Sequence, residues 1–536
     1  MPENRDWWKR AVFYQIYPRS FMDSNADGVG DLDGINRRLD YLAELGIDAL
    51  WISPVYPSPM KDFGYDVSDH EDIDPLFGDL AAFDRLIAAA HERGLRVVMD
   101  YVPNHTSDQH RWFRESRLST TSPKRDWYIW KDARPDGSPP NNWESIFGGP
   151  AWHWDEASGQ YYLHLFLQEQ PDLNWRNPEV VEAMENVLRF WLDRGVDGFR
   201  MDAVMLCIKQ ADFRDNPPVA GDSPWKKLGL TLEPLHTLNQ PELHHMLRRF
   251  RALLDGYPSR PVMIGETWLF DPAELAAYYG PDLDEFQIPF NFMGTRLPWE
   301  AAAVRDALEA YYAALPEGAT PNFVLGNHDV HRLATRFGYD NHRSAGLLLL
   351  TLWGIPTMYY GDEIGMQDVP IGPAESVDPW GLRRPGLDIG RDPARTPMQW
   401  DATLNAGFSP PKAKPWLPLA SNYRERNVAA QREDTASTLN FYKALLRLRR
   451  EHPALQRGGF AFVDPVPGGV LAYVRSAEGQ RLLVAINFEA SAKTVDLSAL
   501  GGAGELLLST HATPAGAVAS ALTLGPHESA LILLSA

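Results

Sequence analysis

The sequence predicts an α/β protein built on a (β/α)8 TIM barrel, with a small domain inserted after strand 3 and a C-terminal antiparallel β-sandwich domain. Three observations lead to this fold class. Short apolar runs alternate with amphipathic helical stretches, a segment rich in Trp, Pro, Gly and Asn interrupts this alternation, and the chain ends in short runs of alternating polarity. Because helical stretches separate the strands, we expect parallel strands that close into a barrel.

The candidate barrel strands are short runs rich in Val, Ile, Leu, Phe and Tyr. Two of the intervening stretches, 79–94 and 178–195, begin with acidic residues and end with basic residues and glycine, as amphipathic helices do. Continuous apolar character is typical of strands that are buried on both faces. The eight candidates cover residues 11–18, 49–55, 95–102, 198–203, 261–267, 285–291, 321–329 and 355–363.

The change in pattern along the chain indicates four segments. The first part of the barrel covers residues 1–103, and the inserted domain covers 104–174, where helical periodicity is weak. The second part of the barrel covers 175–456 and contains an insertion rich in Pro, Gly and Arg at about 367–430. Short alternating apolar and polar runs then assign 457–536 to the C-terminal β-domain.

Charge and cysteine content exclude several classes of partner. The 536 residues include 71 acidic and 51 basic side chains, a formal net charge of −20, which repels nucleic acids and anionic membranes. Cys207 is the only cysteine, so no disulfide within the chain is expected, in agreement with a reducing compartment. No apolar leader precedes a cleavage site, so we predict a cytoplasmic protein, monomer or homodimer, with small-molecule substrates.

The loop DSNADGVGD at residues 23–31 resembles the start of an EF-hand calcium loop. The final bidentate Glu of that motif is replaced by Gly34, and the preceding run is β-rich, so a calcium sensor is excluded. Two interpretations stay open, a small structural cation site and a turn without an ion. The loop positions 1, 3, 5 and 9 of the motif are Asp23, Asn25, Asp27 and Asp31.

Three carboxylates stand at the carboxyl ends of predicted strands, where barrel enzymes carry their function. They are Asp202, Glu266 and Asp329. A retaining glycosidase needs two carboxyl groups about 5 to 5.5 Å apart, one as nucleophile and one as proton donor. Arg200 lies two residues before Asp202 and should face the same side of its strand, where it can hold Asp202 ionised. His105 follows a further predicted strand, and His328 directly precedes Asp329.

The order and spacing of several motifs resemble the α-amylase family, glycoside hydrolase family 13, and its α-glucosidase and oligo-1,6-glucosidase branch. The resemblance covers nearly the whole chain. The motifs are DYVPNH (100–105), QPDLN (170–174), GFRMD (198–202), IGETW (264–268), GNHD (326–329), YYGDEIGM (359–366) and RTPMQW (395–400).

The resemblance implies a role for each chemical group. Asp202 would be the nucleophile, Glu266 the general acid/base, and Asp329 the carboxylate that binds the 2- and 3-hydroxyls of glucose. Arg200 would orient Asp202. His105 and His328 would donate hydrogen bonds to the glucose.

The resemblance also implies how the pocket is closed. Asp66 and Arg395 would form an ion pair over the 4-hydroxyl, and Tyr65 would stack on the sugar face. A closed pocket favours exo action, with release of one glucose at a time. Further pocket residues from the inserted domain would be Phe147, Phe166 and Gln170.

For the metal loop, the resemblance implies a structural Ca²⁺ or Mg²⁺ and no organic cofactor. The expected ligands are Asp23, Asn25, Asp27, Asp31 and the backbone carbonyl of Val29.

The exact reaction stays open. Ala203 after the nucleophile goes with α-1,4 activity in this branch, so we expect maltose and short malto-oligosaccharides as substrates, with sucrose a further candidate. Val330, His331 and Arg332 depart from the Gln-Pro-Arg of many relatives, which leaves linkage preference unsettled. The alternatives are a transglucosylase or sucrose isomerase, an oligo-1,6-glucosidase, a trehalose synthase, and a non-catalytic sugar-binding or transporter-ancillary member. Residues 336–340, Arg-Phe-Gly-Tyr-Asp, look more like a hydrolase than an isomerase.

Overall fold

A computed structural model of the chain describes residues 6–511 and 513–535. Its centre is a sheet of eight parallel strands in the spatial order β10-β11-β1-β2-β3-β7-β8-β9. Asn322 completes the near-closed barrel, because its side chain bonds the backbone of Pro289 and Asn291 on the other edge. The strands are β1 Phe13–Ile16, β2 Ala49–Ile52, β3 Arg96–Tyr101, β7 Gly198–Met201, β8 Val262–Gly265, β9 Ile288–Pro289, β10 Asn322–Val324 and β11 Ile355–Tyr359.

Each observed strand lies inside a predicted run, so the predicted barrel is confirmed. The observed strands are shorter than the runs, because the carboxyl end of each run already belongs to a loop. Helices surround the sheet and bury their apolar faces against it. The helices that follow barrel strands are Leu32–Asn36, Leu39–Leu45, Leu80–Glu92, Pro178–Asp193, Glu242–Asp255, Pro272–Ala277, Ala301–Ala314, His342–Thr351 and Thr438–Glu451.

Shorter helices lie in the loops and after the last barrel helix. They are Pro18–Phe21, Arg111–Arg117, Pro224–Lys227, Leu333–Arg336, Pro379–Arg383, Val428–Glu433 and Pro453–Arg457. No helix in residues 6–511 or 513–535 has the length and apolar character that crossing a membrane requires.

Along the chain, a three-stranded antiparallel sheet follows β3 and precedes β7. Its strands lie in the spatial order β4-β6-β5. Its strands are β4 Trp130–Lys131, β5 Trp152–Asp155 and β6 Gln160–Leu163. A β-bridge between His105 and Asp172 connects the start and the end of this inserted segment beside the carboxyl end of β3. The insertion is therefore held at the same end of the barrel as the predicted site.

The C-terminal region folds into two antiparallel sheets, one in the order β12-β13-β14-β19-β16-β17 and one pairing β15 with β18. Val495 and Leu522 of the smaller sheet pack in one apolar cluster with Leu483 and Ile532 of the larger sheet, as in a sandwich. The strands are β12 Gly459–Phe462, β13 Val470–Ala477, β14 Gln480–Asn487, β15 Lys493–Asp496, β16 Gly504–Ser509, β17 Gly516–Val518, β18 Ala521–Leu524 and β19 Ser529–Leu534.

Candidate active site

A cavity of about 460 Å³ lies at the carboxyl ends of the barrel strands. Its wall includes the three predicted carboxylates, from the ends of β7, β8 and β10, and residues of the inserted domain and of the insertion at about 367–430. Of the predicted site residues, eight line it directly: Tyr65, His105, Phe147, Phe166, Asp202, Glu266, His328 and Asp329.

Arg200 holds the two predicted catalytic carboxylates side by side. Its Nη1 is 2.6 Å from Asp202 Oδ1, and its Nη2 is 2.7 Å from Glu266 Oε1. Nη1 also lies 2.6 Å from Oδ1 of Asp100 at the end of β3. Arg200 is completely buried, so no water competes for these contacts. One guanidinium thus positions both carboxylates, and not Asp202 alone as the sequence suggested.

This cluster holds more negative than positive charge. Asp100, Asp202 and Glu266 surround the single cation Arg200, so full ionisation would leave an uncompensated buried charge. Burial and the neighbouring Glu266 raise the pKa of Asp202, and Arg200 acts in the opposite direction. Burial also raises the pKa of Asp100 to about 6. The arrangement favours one retained proton in the cluster, so that one carboxyl group can act as an acid while its neighbour is ionised and can act as a nucleophile.

Two donors besides Arg200 fix the Glu266 side chain. The backbone N–H of Ala203 donates to Oε2 at 2.6 Å, and the indole N–H of Trp268 donates to Oε1 at 2.8 Å. Ala203 has a backbone φ of 44°, a conformation unusual for a residue with a side chain. Such strain persists only where the surroundings enforce it, and here it directs an amide at Glu266.

A group of paired charges surrounds Asp329, and we call it the charged clamp; its members Asp62, Asp329 and Arg391 line the cavity. Arg391 lies 2.8 Å from Asp62, 2.6 Å from Asp378 and 3.4 Å from Asp329. Arg395 lies 2.9 Å from Oδ1 of Asp329, the same oxygen that Arg391 approaches. Although burial opposes it, the guanidinium groups of Arg395 and Arg391 hold the pKa of Asp329 below its usual range. The charged clamp consists of Asp62, Asp329, Asp378, Arg391 and Arg395. Its two arginines keep Asp329 ionised.

The predicted ion pair between Asp66 and Arg395 is wrong. The Asp66 carboxylate accepts hydrogen bonds from the backbone N–H groups of Lys61 and Asp62 and from the Ser58 hydroxyl. Both carboxylate oxygens of Asp66 are therefore bonded within its own turn, and Asp66 does not line the cavity. The ion pair that borders the cavity is formed by Asp62 and Arg391. Each lies four positions before the corresponding residue of the predicted pair.

The two predicted histidines are buried and neutral. Burial lowers the pKa of His105 to about 3 and that of His328 well below its usual range. His328 Nε2 lies 2.7 Å from the Tyr65 hydroxyl, and the two rings stack at 5.5 Å. Gln170 does not line the cavity. Its side-chain amide nitrogen lies 3.1 Å from His105 Nε2. Tyr65, His105 and His328 therefore form a rigid wall beside the carboxylates.

Aromatic rings from the inserted domain and from the insertion at about 367–430 pack against each other in the cavity wall. Phe147 stacks on Trp380 at 5.6 Å and meets the edge of Phe166 at 5.5 Å. Arg391 lies over the Phe147 ring at 5.1 Å. These rings give the cavity apolar faces of the kind that pack against sugar rings.

The loop at 23–31 lies away from the cavity. Asp23 accepts hydrogen bonds from the backbone N–H groups of Ala26 and Gly28, and Asp31 accepts from those of Ser24 and Gly34. The oxygen donors are of the type that Ca²⁺ and Mg²⁺ take. Within the described ranges, however, no three His, Cys, Asp or Glu side chains converge as metal ligands. The donor chemistry fits a hard cation, but the observed side-chain arrangement serves the loop's own amides. Asn25 and Asp27 stay exposed beside Val29.

Sequence reasoning missed several residues of this site. Asp100 belongs to the DYVPNH motif, and its place at a strand end beside Arg200 was a usable signal. Asp62, Asp378 and Arg391 carried no such signal, because they come from irregular loops far apart in the chain. Other lining residues that lie outside the sequence motifs include Met205, Trp225, Lys227, Arg296, Trp380 and Ile389.

Family models account for nearly the whole chain. The model described as alpha amylase, catalytic domain, matches residues 15–458. The model described as maltogenic amylase, C-terminal domain, matches residues 460–531. The chain is similar to a probable alpha-glucosidase of Rhizobium meliloti, with 43% identity over 510 residues that cover 92% of this chain and 91% of that protein. It is 40% identical to an oligo-1,6-glucosidase of Parageobacillus thermoglucosidasius over 520 residues, covering 90% and 91%.

Solved structures agree with these matches. The alpha-glucosyl transfer enzyme XgtA has a TM-score of 0.91 at 42% identity, and the comparison covers 99% of both chains. The trehalulose synthase MutB from Pseudomonas mesoacidophila MX-45 has a TM-score of 0.90 at 36% identity, again covering 99% of both chains. Fold, site geometry and sequence therefore place this chain in the α-amylase family, glycoside hydrolase family 13.

Proposed function

We propose that the protein is a retaining, exo-acting α-glucosidase that releases α-glucose from the non-reducing end of short α-glucosides. The observation that carries this proposal is the contact of Arg200 with both Asp202 and Glu266 in one cavity. A single side chain can reach both carboxylates only if they lie close together, as a retaining mechanism requires.

In the first step, Asp202 attacks the anomeric carbon while Glu266 gives its proton to the departing oxygen. A covalent glucosyl ester of Asp202 forms, and the negative charge of Asp202 is lost. Glu266 is then free to accept a proton from water, which attacks the same carbon and releases Asp202. Two inversions give net retention. Asp329, held ionised by the charged clamp, is the proposed acceptor for two sugar hydroxyls.

The charged clamp supports exo action on short substrates. Arg391 and Asp62 are nearly fully buried and bonded to each other, so they form a wall and leave no passage between them. A glucose bound against this wall would be a chain end. We propose maltose and short malto-oligosaccharides as substrates, with α-1,4 linkages favoured, and sucrose as a further candidate.

The main alternative is glucosyl transfer or sucrose isomerisation on the same scaffold. Two structurally similar proteins are named for such reactions, which supports keeping this candidate. An oligo-1,6-glucosidase is the second alternative, against which the small Ala203 argues. A non-catalytic role is disfavoured, because three carboxylates and their positioning cation meet in one cavity.

A linkage panel with product analysis tests the proposal. Initial rates on p-nitrophenyl α-glucoside, maltose, isomaltose and sucrose would be followed together with the released sugars by NMR. We expect α-glucose to appear first and to dominate over new disaccharides. Dominance of new disaccharides would identify a transferase or isomerase, and β-glucose as first product would overturn the retaining mechanism.

Three further properties complete the proposal. We propose a weak structural Ca²⁺ or Mg²⁺ at residues 23–31, supported by the oxygen donors of Asp23, Asn25, Asp27 and Asp31. The single, buried Cys207 supports a cytoplasmic location. The expected assembly is a monomer or homodimer.

A further inference from the structure

The cavity wall on the Glu266 side carries cations that the proposed hydrolysis does not use. We call Lys227, Arg296 and Arg336 the cationic side; all three line the cavity. Arg296 adjoins Glu266 through Trp268, whose indole bonds Glu266 and lies 5.9 Å from the Arg296 guanidinium.

Arg296 is a half-buried cation that makes no ion pair with a carboxylate in residues 6–511 and 513–535. Its guanidinium packs on the Phe270 ring at 4.1 Å, and one nitrogen lies 3.5 Å from the carbonyl oxygen of Pro224. Burial lowers its pKa to about 10. An arginine has five N–H donors, so most of the hydrogen-bonding capacity of Arg296 is left for another partner.

Arg336 supports the same region of the wall. It donates hydrogen bonds to the carbonyl oxygens of Leu325 and Gly294, and Gly294 lies two residues from Arg296. Burial lowers the pKa of Arg336 to about 10. The nearby carboxylate of Asp368 is taken by the His331 ring and the backbone N–H of Arg332. Asp388, the other acid at this wall, is exposed and lies 3.4 Å from His331.

An unpaired, partly buried cation lowers the stability of the protein unless a ligand supplies the counter-charge. The chain as a whole is acidic, with a net charge of −20, so carboxylates are abundant, yet none in the part of the chain that the structure describes pairs with Arg296. The charged clamp shows the opposite arrangement in the same cavity, with each cation bonded to two or more groups.

From this contrast we propose that the cationic side is a subsite for an anionic group on the leaving portion of the substrate. The inference rests on the proposed function, because the Glu266 side is where the leaving group would lie. The substrate class is α-glucosides whose second part bears a carboxylate or a phosphate-type group. Arg296 provides the planar double donor that such anions bind, and Lys227 and Arg336 add positive charge.

Matched aryl glucosides test the proposal on the intact protein. The probes are 4-carboxyphenyl, 4-phosphonophenyl and 4-carbamoylphenyl α-glucoside, whose para groups differ mainly in charge. We expect kcat/KM to be at least about tenfold higher for an anionic probe than for the carbamoyl probe, as a charge-assisted hydrogen bond would produce. The carbamoyl phenol is a better leaving group than the carboxylate, so leaving-group chemistry cannot produce this preference. The ratio between the two anionic probes tells carboxylate from phosphate recognition.

Arg296→Gln should reduce the anionic preference about tenfold or more, and Arg296→Lys should restore part of it. The matched control is Arg424→Gln, because Arg424 also packs on an aromatic ring, Tyr423, but lies outside the cavity.

The preference for anionic probes should also weaken as ionic strength rises. Equal kcat/KM for charged and neutral probes, or a preference unchanged in Arg296→Gln, overturns this inference while leaving the α-glucosidase proposal intact. Failure to cleave any probe, p-nitrophenyl α-glucoside included, overturns the α-glucosidase proposal itself.

Discussion

The two sides of the cavity differ in how their charges are neutralised. In the charged clamp, Arg391 and Arg395 both contact Asp329, and Arg391 also bonds Asp62 and Asp378. The cationic side leaves Arg296 half-buried, with no carboxylate partner among the residues that the structure describes. Between these sides, Arg200 connects Asp202 with Glu266.

The difference in charge pairing indicates that the two sides of the cavity have different roles. A wall of mutually bonded charges is rigid and presents one fixed pattern of donors and acceptors, which suits recognition of a single invariant sugar. A wall with an unpaired cation keeps bonding capacity for groups that the protein does not supply. We therefore expect changes at the charged clamp to affect every substrate, and changes at the cationic side to affect only some substrates.

The largest effect is expected at the centre of the comparison. Asp202→Asn and Glu266→Gln should each lower kcat at least roughly a thousandfold, because a nucleophile or a proton donor is lost. Steady-state rates on maltose and p-nitrophenyl α-glucoside measure this. Asp212→Asn is the control, because that acid is exposed and pairs with Arg214. Full activity in either site variant would refute the catalytic assignment.

A smaller effect is expected when the charged clamp is weakened. Asp62→Asn removes one of the charges bonded to Arg391 and should lower kcat/KM about ten- to a hundredfold for neutral and anionic substrates alike. Kinetics on the same three aryl glucosides would show a uniform loss. Asp69→Asn, in the same loop but outside the cavity, is the control. A loss confined to one class of substrate would contradict the assigned role of the charged clamp.

Stability should depend on pH through Asp202. Its folded-state pKa is raised by burial and by Glu266, so ionisation of Asp202 destabilises the folded protein. Below the ordinary aspartate pKa, about 3.9, Asp202 is protonated in both states and this cost vanishes. We therefore expect Asp202→Asn to raise the melting temperature at pH 7 and to lose that advantage as the pH falls toward about 4. An equal or lower melting temperature of Asp202→Asn at pH 7 would contradict the raised pKa of Asp202.

The smallest effect is expected far from both sides, at the loop 23–31. Its acids already bond backbone amides, so an added Ca²⁺ or Mg²⁺ should stabilise the fold by about 1 kcal/mol or less. Thermal unfolding with and without a chelator measures this. Asp27→Asn should abolish the ion-dependent shift, whereas Asp33→Asn, outside the loop, should keep it. Identical unfolding with and without divalent ions would remove the metal proposal.

The periodicity of the sequence was enough to predict the fold, because strands buried on both faces and helices with one apolar face leave distinct patterns. The same reasoning located Asp202, Glu266 and Asp329, since the carboxyl ends of barrel strands converge at one end. The Arg200–Asp202 contact followed from the two-residue period of a strand. Each of these inferences depends on regular backbone geometry.

Only the tertiary structure decided the contacts made by irregular loops. Asp62 and Arg391 are separated by 329 positions, and nothing in their local patterns relates them. Asp66 was a wrong choice because a tight turn directs its carboxylate to the amides of Lys61 and Asp62. Whether a charge is paired, as in Arg391, or unpaired, as in Arg296, depends on how loops from distant parts of the chain pack. The sequence by itself therefore determined the barrel and the position of its three carboxylates, and the packing of loops determined which charges remain available to a ligand.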